Sequence, residues 1–431
     1  MTLSAGFGSS AVADLDTSAL VHFGVNSSSA VLDQPPPRPQ EPEPSPRPRS
    51  SRYQSLDMWR GIACLMLVVY HAAFYSSHSW KSGDPSTWSI GGLVINLIGR
   101  LWIGVPIFFV VSGYCIAASS DSSRRRTHSL RTYFARRFRR IYPPLWIALA
   151  LCVLFVLLVT TSESVRQGCT QLPHLRELTT VNWLANFTAT ESWRPTISGG
   201  ENAYLMKNTW TLCYEEQFYA VVGFMLLVSS QRFFAAAGVV TIVTLAARHL
   251  TRAAGVSLQG VFCDGHWLLF AIGILVYYRL HYAQNRWRWM IVAALAGVIL
   301  YAVVDHRLTA SKFDKHLDEY LVASASFGLL LIGLYRQDGK LVSSPWLQPL
   351  FWYGKMSYSV YLTHFPVVVV MAYVLARIGS SADWFAAAVI VPLSVAISIP
   401  IGWVFHLAVE RRFMNTPLEA KRVAAASHYG A

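Results

Sequence analysis

Ten apolar runs, separated by short polar stretches, set the pattern of this chain. They cover about 57–77, 91–119, 142–160, 210–229, 233–248, 264–281, 288–304, 319–335, 356–376 and 384–408. A bilayer core about 30 Å thick is crossed by about 20 apolar residues in a helix, so each run reads as a membrane-spanning helix. The second run contains Pro106, which predicts a kink or break there. The fold class that follows is all-α: a polytopic membrane protein with about ten transmembrane helices. Residues 1–54 break the pattern. QPPPRPQEPEPSPRPRSS is too rich in Pro, Arg, Glu and Ser to bury a core and predicts a disordered tail. ALVHFGV, residues 19–25, is too short and poorly flanked for a secretory signal. The organisation expected is a Pro/Arg-rich tail over 1–54, a ten-helix domain over 55–410 and a short tail over 411–431.

Charge then orients the spans. The stretch after the second run holds Arg124, Arg125, Arg126, Arg131, Arg136, Arg137, Arg139 and Arg140, and cationic loops face the cytoplasm. Alternation places both termini there too, with Arg279, Arg286, Arg288, Arg336 and Lys340. The 161–208 loop falls outside, where Glu163, Glu177, Glu191 and Glu201 match its cations. Arg248 and Arg252 also fall outside, a mild disagreement with the rule.

Composition agrees. The chain is 53% hydrophobic and 14% charged, with a mean hydropathy of +0.36. An average soluble domain is nearer a quarter charged. The net charge of +13 would suggest nucleic acid in a soluble protein. Here it lies largely in loops between apolar runs, and no zinc-finger or P-loop pattern occurs. Cys64, Cys115, Cys152 and Cys213 fall in helices and read as core packing; Cys169 and Cys263 fall outside, where an oxidising compartment permits a disulfide.

Candidate chemistry clusters in a few helices. SLDMWRGIACLMLVVYHAAFY places Arg60 near one membrane surface and His71 three turns, about 16 Å, deeper on nearly the same face. An ionisable group at that depth is a functional candidate; its alternative is a hydrogen bond to a neighbouring helix. GVPIFFVVSGYCIA, residues 104–117, carries Gly104, Pro106, Ser112 and Gly113, which suit either close packing or a cavity wall. YFARRFRRIYPPLW, residues 133–146, sets arginines on more than one helix face, for lipid phosphate or a phosphate-bearing substrate. Pro143 and Pro144 predict a helix start there. NTWTLCYEEQFYAVVGF, residues 208–224, buries Glu215 and Glu216, which point about 100° apart, so at most one easily faces a shared cavity. YSVYLTHFP adds Tyr358, Tyr361 and His364 at i, i+3 and i+6.

Together these motifs resemble the acyltransferase-3 family of integral membrane O-acyltransferases. SLDMWRGIACLMLVVYHA is similar to that family's opening helix, with a histidine eleven residues after the arginine. VPIFFVVSGYCI resembles its FFxxSG segment, RRFRRIYPPLW its basic segment, WTLCYEEQFY its fourth-helix motif, and FAIGIL and YSVYLTHFP later, weaker signatures. They occur in family order over about residues 53–410. Where the family carries an Asp before FF, this chain has Pro106. Some members add a hydrolase-like domain after the last helix; none is expected in this chain.

The resemblance implies transfer of an acyl group, typically acetyl, from cytoplasmic acyl-CoA to a hydroxyl of a carbohydrate, glycolipid or glycosylated small molecule. No cofactor is bound permanently; acyl-CoA is the co-substrate, and no metal is expected. His71, Arg60 and Glu215 take the catalytic positions, and Arg137, Arg139 and Arg140 those that bind the CoA phosphates. Glu216, Tyr361 and His364 are assigned to the substrate. His71 acts as general base on the hydroxyl, or as a nucleophilic relay. Glu215 orients the acceptor or pairs with Arg100. The partners implied are the bilayer, acyl-CoA and the acceptor, and the location is a bacterial inner membrane. Asn186-Phe-Thr is a glycosylation sequon that matters only in a eukaryotic secretory route. The competing class is a proton-coupled transporter, which also uses intramembrane His and Glu; no internal repeat supports it.

Overall fold

The first apolar run folds as α1, Leu56–Ser76, and its start is fixed from far along the chain. The backbone N–H groups of Gln54 and Ser55 donate to the two carboxylate oxygens of Asp338, at 2.7 and 3.0 Å. A carboxylate at a helix N-terminus satisfies otherwise unpaired donors and complements the dipole. The computed structural model describes residues 53–76, 90–125, 130–162, 165, 168–169, 171–256, 260–309, 315–379 and 382–414. The tail over 1–52, Arg126, Glu163, Arg166 and the segment after 414 lie outside these residues, as do the side chains of Arg124, Arg125 and Cys263.

Among the described residues all regular structure is helical. Nine helical segments are long and apolar enough to cross a membrane. The sixth expected span, α8 below, is a buried helix of 15 residues, about 22 Å long. The second span is broken as Pro106 suggested, but one turn earlier: α2, Ile90–Ile98, passes through a 3-10 segment, Gly99–Ile103, into α3, Gly104–Arg125. The diproline does not start a helix. α4 runs unbroken through it, from Leu130 to Val159. A proline removes one helical N–H; here both flanks are held from outside, by Tyr358 Oη donating to the Ile141 carbonyl (2.9 Å) and by Trp146 Nε1 donating to the Phe187 carbonyl (2.9 Å).

The segment after α4 includes α5, Thr180–Phe187, and folds around Glu191, which is fully buried. Glu191 accepts from Arg194, from the Ala203 N–H and from Asn182. The sequon residue Asn186 is buried too. Its Nδ2 donates to the carbonyls of Asn182 and Ala203, and its Oδ1 accepts from the Leu205 N–H, so the amide a glycan needs is already engaged. Beyond it come α6, Trp210–Ser229, α7, Phe233–Ala253, α8, Trp267–His281, α9, Asn285–Thr309, and α10, Lys315–Leu334. Arg248 and Arg252, the cations that strained the charge rule, pair with Asp318 and Asp305 at 3.0 and 2.9 Å. The pairs join α7 to α10 and α9 and neutralise the offending charge. The chain closes with α11, Gln348–Lys355, α12, Ser357–Ile378, and α13, Val391–Phe405, which two π-helical turns flank.

α1 packs on α3, α11, α12 and α13, and α3 packs along α8. The α3–α8 contact explains Gly113. A Cβ there would lie 2.0 Å from the Phe270 carbonyl oxygen, and one at Gly273 would lie 2.0 Å from that of Val110. Backbone meets backbone, and no side chain can yield. Gly113→Val is therefore expected to abolish recovery of monodisperse protein. Gly297 has nothing within 4 Å of its would-be Cβ, so Gly297→Ala should raise stability by up to about 1 kcal/mol through helix propensity. Size-exclusion profiles and thermal melts of the two variants check both.

Candidate functional site

α1, α3, α4, α6 and α12 enclose a cavity of about 100 Å³. Arg60, Ser112, Arg140, Glu215, Tyr219 and Tyr361 supply its polar wall, and Leu67, Val105, Phe108 and Phe109 its apolar one. The sequence pattern separates the two roles on α3. Gly113 faces α8, while Ser112, the preceding residue, turns about 100° away and enters the cavity.

Glu215 is the polar centre. Its Oε1 accepts from Ser112 Oγ at 2.8 Å and from the Tyr219 hydroxyl. Arg60 reaches Asp57 (Nη1 to Oδ1, 3.5 Å) and the Cys115 sulfur (Nη2, 3.5 Å). Tyr219 carries the guanidinium of Arg137 on its ring at 4.2 Å, and Tyr133 packs on the same group at 4.7 Å. Arg137 thus acts through Tyr219, one ring removed from the cavity, and does not line it. Of the three arginines expected at the phosphates, Arg140 alone enters the cavity wall; Arg139 is exposed and donates to the Arg412 carbonyl at 3.3 Å. Glu216 turns away as the helical geometry requires. One oxygen accepts from the Tyr142 hydroxyl at 3.3 Å, and the other is buried without a hydrogen-bond partner. Arg100 does not approach Glu215; it lines a different cavity.

His71 and His364, 293 residues apart, meet ring to ring. His71 Nδ1 and His364 Nε2 are 3.0 Å apart. The protonation pattern follows from the outer partner. His364 Nδ1 faces the carbonyls of Val360 and Tyr361 at 3.0 and 2.9 Å, and a carbonyl accepts only, so Nδ1 carries the hydrogen. His364 Nε2 then accepts from His71 Nδ1–H, which leaves the lone pair of His71 on Nε2. This pair lies about one helical turn beyond Leu67 and Tyr361, the residues at that end of the cavity. Tyr361 is itself tied down. Its hydroxyl donates to the Asn208 carbonyl and sits 2.8 Å from Thr211 Oγ1, while Asn208 Nδ2 donates to the Tyr361 carbonyl at 2.5 Å.

Sequence reasoning missed Ser112 as a Glu215 partner, Tyr219 as the bridge to Arg137, and the pairing of the two histidines. It also missed Asp264 and His266, which sit across Phe109 from the cavity. Asp264 accepts from the Tyr214 hydroxyl, the Gly260 N–H, and both the N–H and Nδ1 of His266. Burial alone would raise the Asp264 carboxyl; the His266 imidazole and these hydrogen bonds outweigh it and hold the group below its usual range. An Asp-Gly-His triplet in a loop is visible in sequence, but nothing in it announces the contact. Cys169 is a free buried thiol. Among the described residues no group of three or more His, Cys, Asp or Glu side chains is arranged to hold a metal.

Comparison with known proteins places this geometry in context. Residues 53–405 match the model of an acyltransferase domain. A peptidoglycan O-acetyltransferase of Listeria monocytogenes is 23% identical over 340 residues, covering 73% of this chain and 49% of the relative. A putative peptidoglycan O-acetyltransferase of Bacillus subtilis is 25% identical over 364 residues, covering 76% and 50%. A putative membrane-bound transacylase of Komagataeibacter xylinus is 24% identical over 343 residues, covering 75% of each. The chain spans about half the length of the two peptidoglycan relatives. No solved structure matches it.

Proposed function

The chain belongs to the acyltransferase-3 family, and from that premise we propose that it is a multi-pass membrane O-acyltransferase. It moves an acyl group, acetyl in the simplest case, from acyl-CoA to a hydroxyl of a carbohydrate, with residues 55–410 as the catalytic domain. The observation that carries this reading is the polar cavity bearing Arg60, Arg140 and Glu215, with the His71–His364 pair one turn beyond it.

Arg60 and Arg140 hold the donor. Guanidinium groups bind phosphate through paired N–H donors, and the Arg140 end of the cavity adjoins the arginine-rich stretch that the charge pattern assigns to the cytoplasm. His71 Nε2 takes the proton of the acceptor hydroxyl as that oxygen bonds to the thioester carbonyl carbon. The tetrahedral intermediate then collapses, the C–S bond breaks, and the proton passes from His71 to the departing thiolate. His364 keeps His71 in the tautomer that this step needs. Glu215, with Ser112 and Tyr219, positions the acceptor. At about 100 Å³ the cavity holds a few water molecules, each occupying about 30 Å³ of liquid, so Leu67, Phe108 and Tyr361 move aside for substrate.

Acyl-CoA turnover by purified protein in nanodiscs, followed as free thiol with a panel of glycan acceptors and with water alone, tests the reading. Acceptor-dependent release of CoA is the expected result. Absence of both turnover and CoA binding would overturn it and favour transport.

A further inference from the structure

A second cavity, of about 740 Å³, opens between the 3-10 segment leading into α3, α9 and α10. This volume is in the range of ligand-binding pockets. Its lining is graded. Arg100, in the 3-10 break of the second span, and Glu319, in the second turn of α10, form its polar end, and much of the remaining wall is apolar: Ile107 on α3, and Val322, Phe327 and Leu330 on α10. Glu319 and Leu330 are eleven residues apart on one helix, about 16 Å of descent. Val303 and Leu330 line the cavity and are also 39% and 44% exposed, so it opens sideways, where lipid surrounds the helices.

The charges at the polar end are unusual in being unspent. Asp318, beside them, is taken by Arg248. Arg100 and Glu319 make neither a hydrogen bond nor an ion pair with each other or with any described residue, although both face the same space. A cation and an anion held apart beside an apolar slot match a molecule with an anion, a cation and a hydrocarbon chain in that arrangement. We propose that this cavity binds one zwitterionic phospholipid with a primary ammonium. Its phosphate pairs with Arg100, its ammonium donates to Glu319, and one acyl chain lies along Ile107, Val322, Phe327 and Leu330. A quaternary ammonium lacks the N–H donors, and an anionic headgroup without a cation leaves Glu319 unpaired and repelling. The inference is independent of the acyl-transfer reading.

Native mass spectrometry of the full chain in detergent, titrated with phosphatidylethanolamine, phosphatidylcholine or phosphatidylglycerol of one chain length, tests it. Wild type is expected to retain one phosphatidylethanolamine about tenfold more tightly than phosphatidylglycerol, the scale of one charge-assisted hydrogen bond. Glu319→Gln should bring that ratio close to one, and Arg100→Ala should weaken both lipids about tenfold. Ala323→Trp, which fills the apolar slot, should remove the tight site for every headgroup. Arg100 is exposed and Glu319 is partner-free among the described residues, so their replacement leaves the fold intact. Equal retention of the three lipids by wild type would overturn the proposal, as would an unchanged preference in Glu319→Gln.

Discussion

Replacing His71 with alanine is expected to lower acyl transfer by about 10²–10⁴-fold, the usual worth of a general base, while the protein still elutes as a folded, monodisperse species. The effect is large because the hydroxyl is a poor nucleophile until its proton is accepted, and His71 Nε2 is the lone pair that the hydrogen-bond pattern leaves unspoken for. The same pattern predicts a graded series. His364→Ala removes the group that accepts from His71 Nδ1, so the imidazole loses its fixed tautomer but keeps its basicity; a fall of about tenfold follows. Turnover numbers measured side by side at saturating acyl-CoA separate the two residues. Near-normal transfer by His71→Ala would end the mechanism, and equal losses at both positions would give His364 a direct role in the chemistry.

Arg140→Ala and Arg60→Ala are each expected to raise the KM for acyl-CoA by about 10–100-fold with a much smaller change in kcat. A hydrogen bond to a charged group contributes about 1.5–3 kcal/mol, and each 1.4 kcal/mol is tenfold. Arg139→Ala supplies the internal control. Its side chain is adjacent in sequence and identical in charge, but it points to the Arg412 carbonyl and not into the cavity, so KM should stay within about twofold of wild type. A loss at Arg139 equal to that at Arg140 would mean that the arginines act as a diffuse electrostatic field and not through contact; raising the salt concentration would then erase both effects. Arg137 belongs to neither class. It rests on Tyr133 and Tyr219, so Arg137→Ala is expected to disturb Glu215 through Tyr219 and to lower kcat more than it raises donor KM.

The spans were legible because burial in lipid demands long apolar runs, and length and hydropathy are local properties of a chain. α8 shows the limit: at 15 residues it is too short to count as a full span, and α3 and α10 enclose it. The diproline misled because proline reports only a missing N–H, whereas the anchors that carry α4 through it come from Tyr358 and from the Phe187 carbonyl. The divergence of Glu215 and Glu216 was legible from helical geometry alone. Which arginine enters the cavity was not, since i, i+1, i+3 and i+4 cover several faces and only neighbouring helices choose among them. His71 and His364 were each visible as costly intramembrane groups, but their contact spans 293 residues of chain and has no local signature. Arg248 and Arg252 seemed to break the charge rule because their partners, Asp318 and Asp305, lie on other helices.

The narrow stretch between Leu67, Tyr361 and the histidine pair bears on the membrane itself. A membrane catalyst that takes its donor from the cytoplasmic side, as proposed above, must not become a conduit across the bilayer. With Tyr361 bonded to Asn208 and Thr211, and the two imidazoles stacked beyond it, the polar cavity ends in packed side chains. Any path from Arg140 past His71 has to pass these side chains. On the acyl-transfer reading, proton leak across the bilayer is therefore expected only in step with turnover, which a proton-flux assay in proteoliposomes checks.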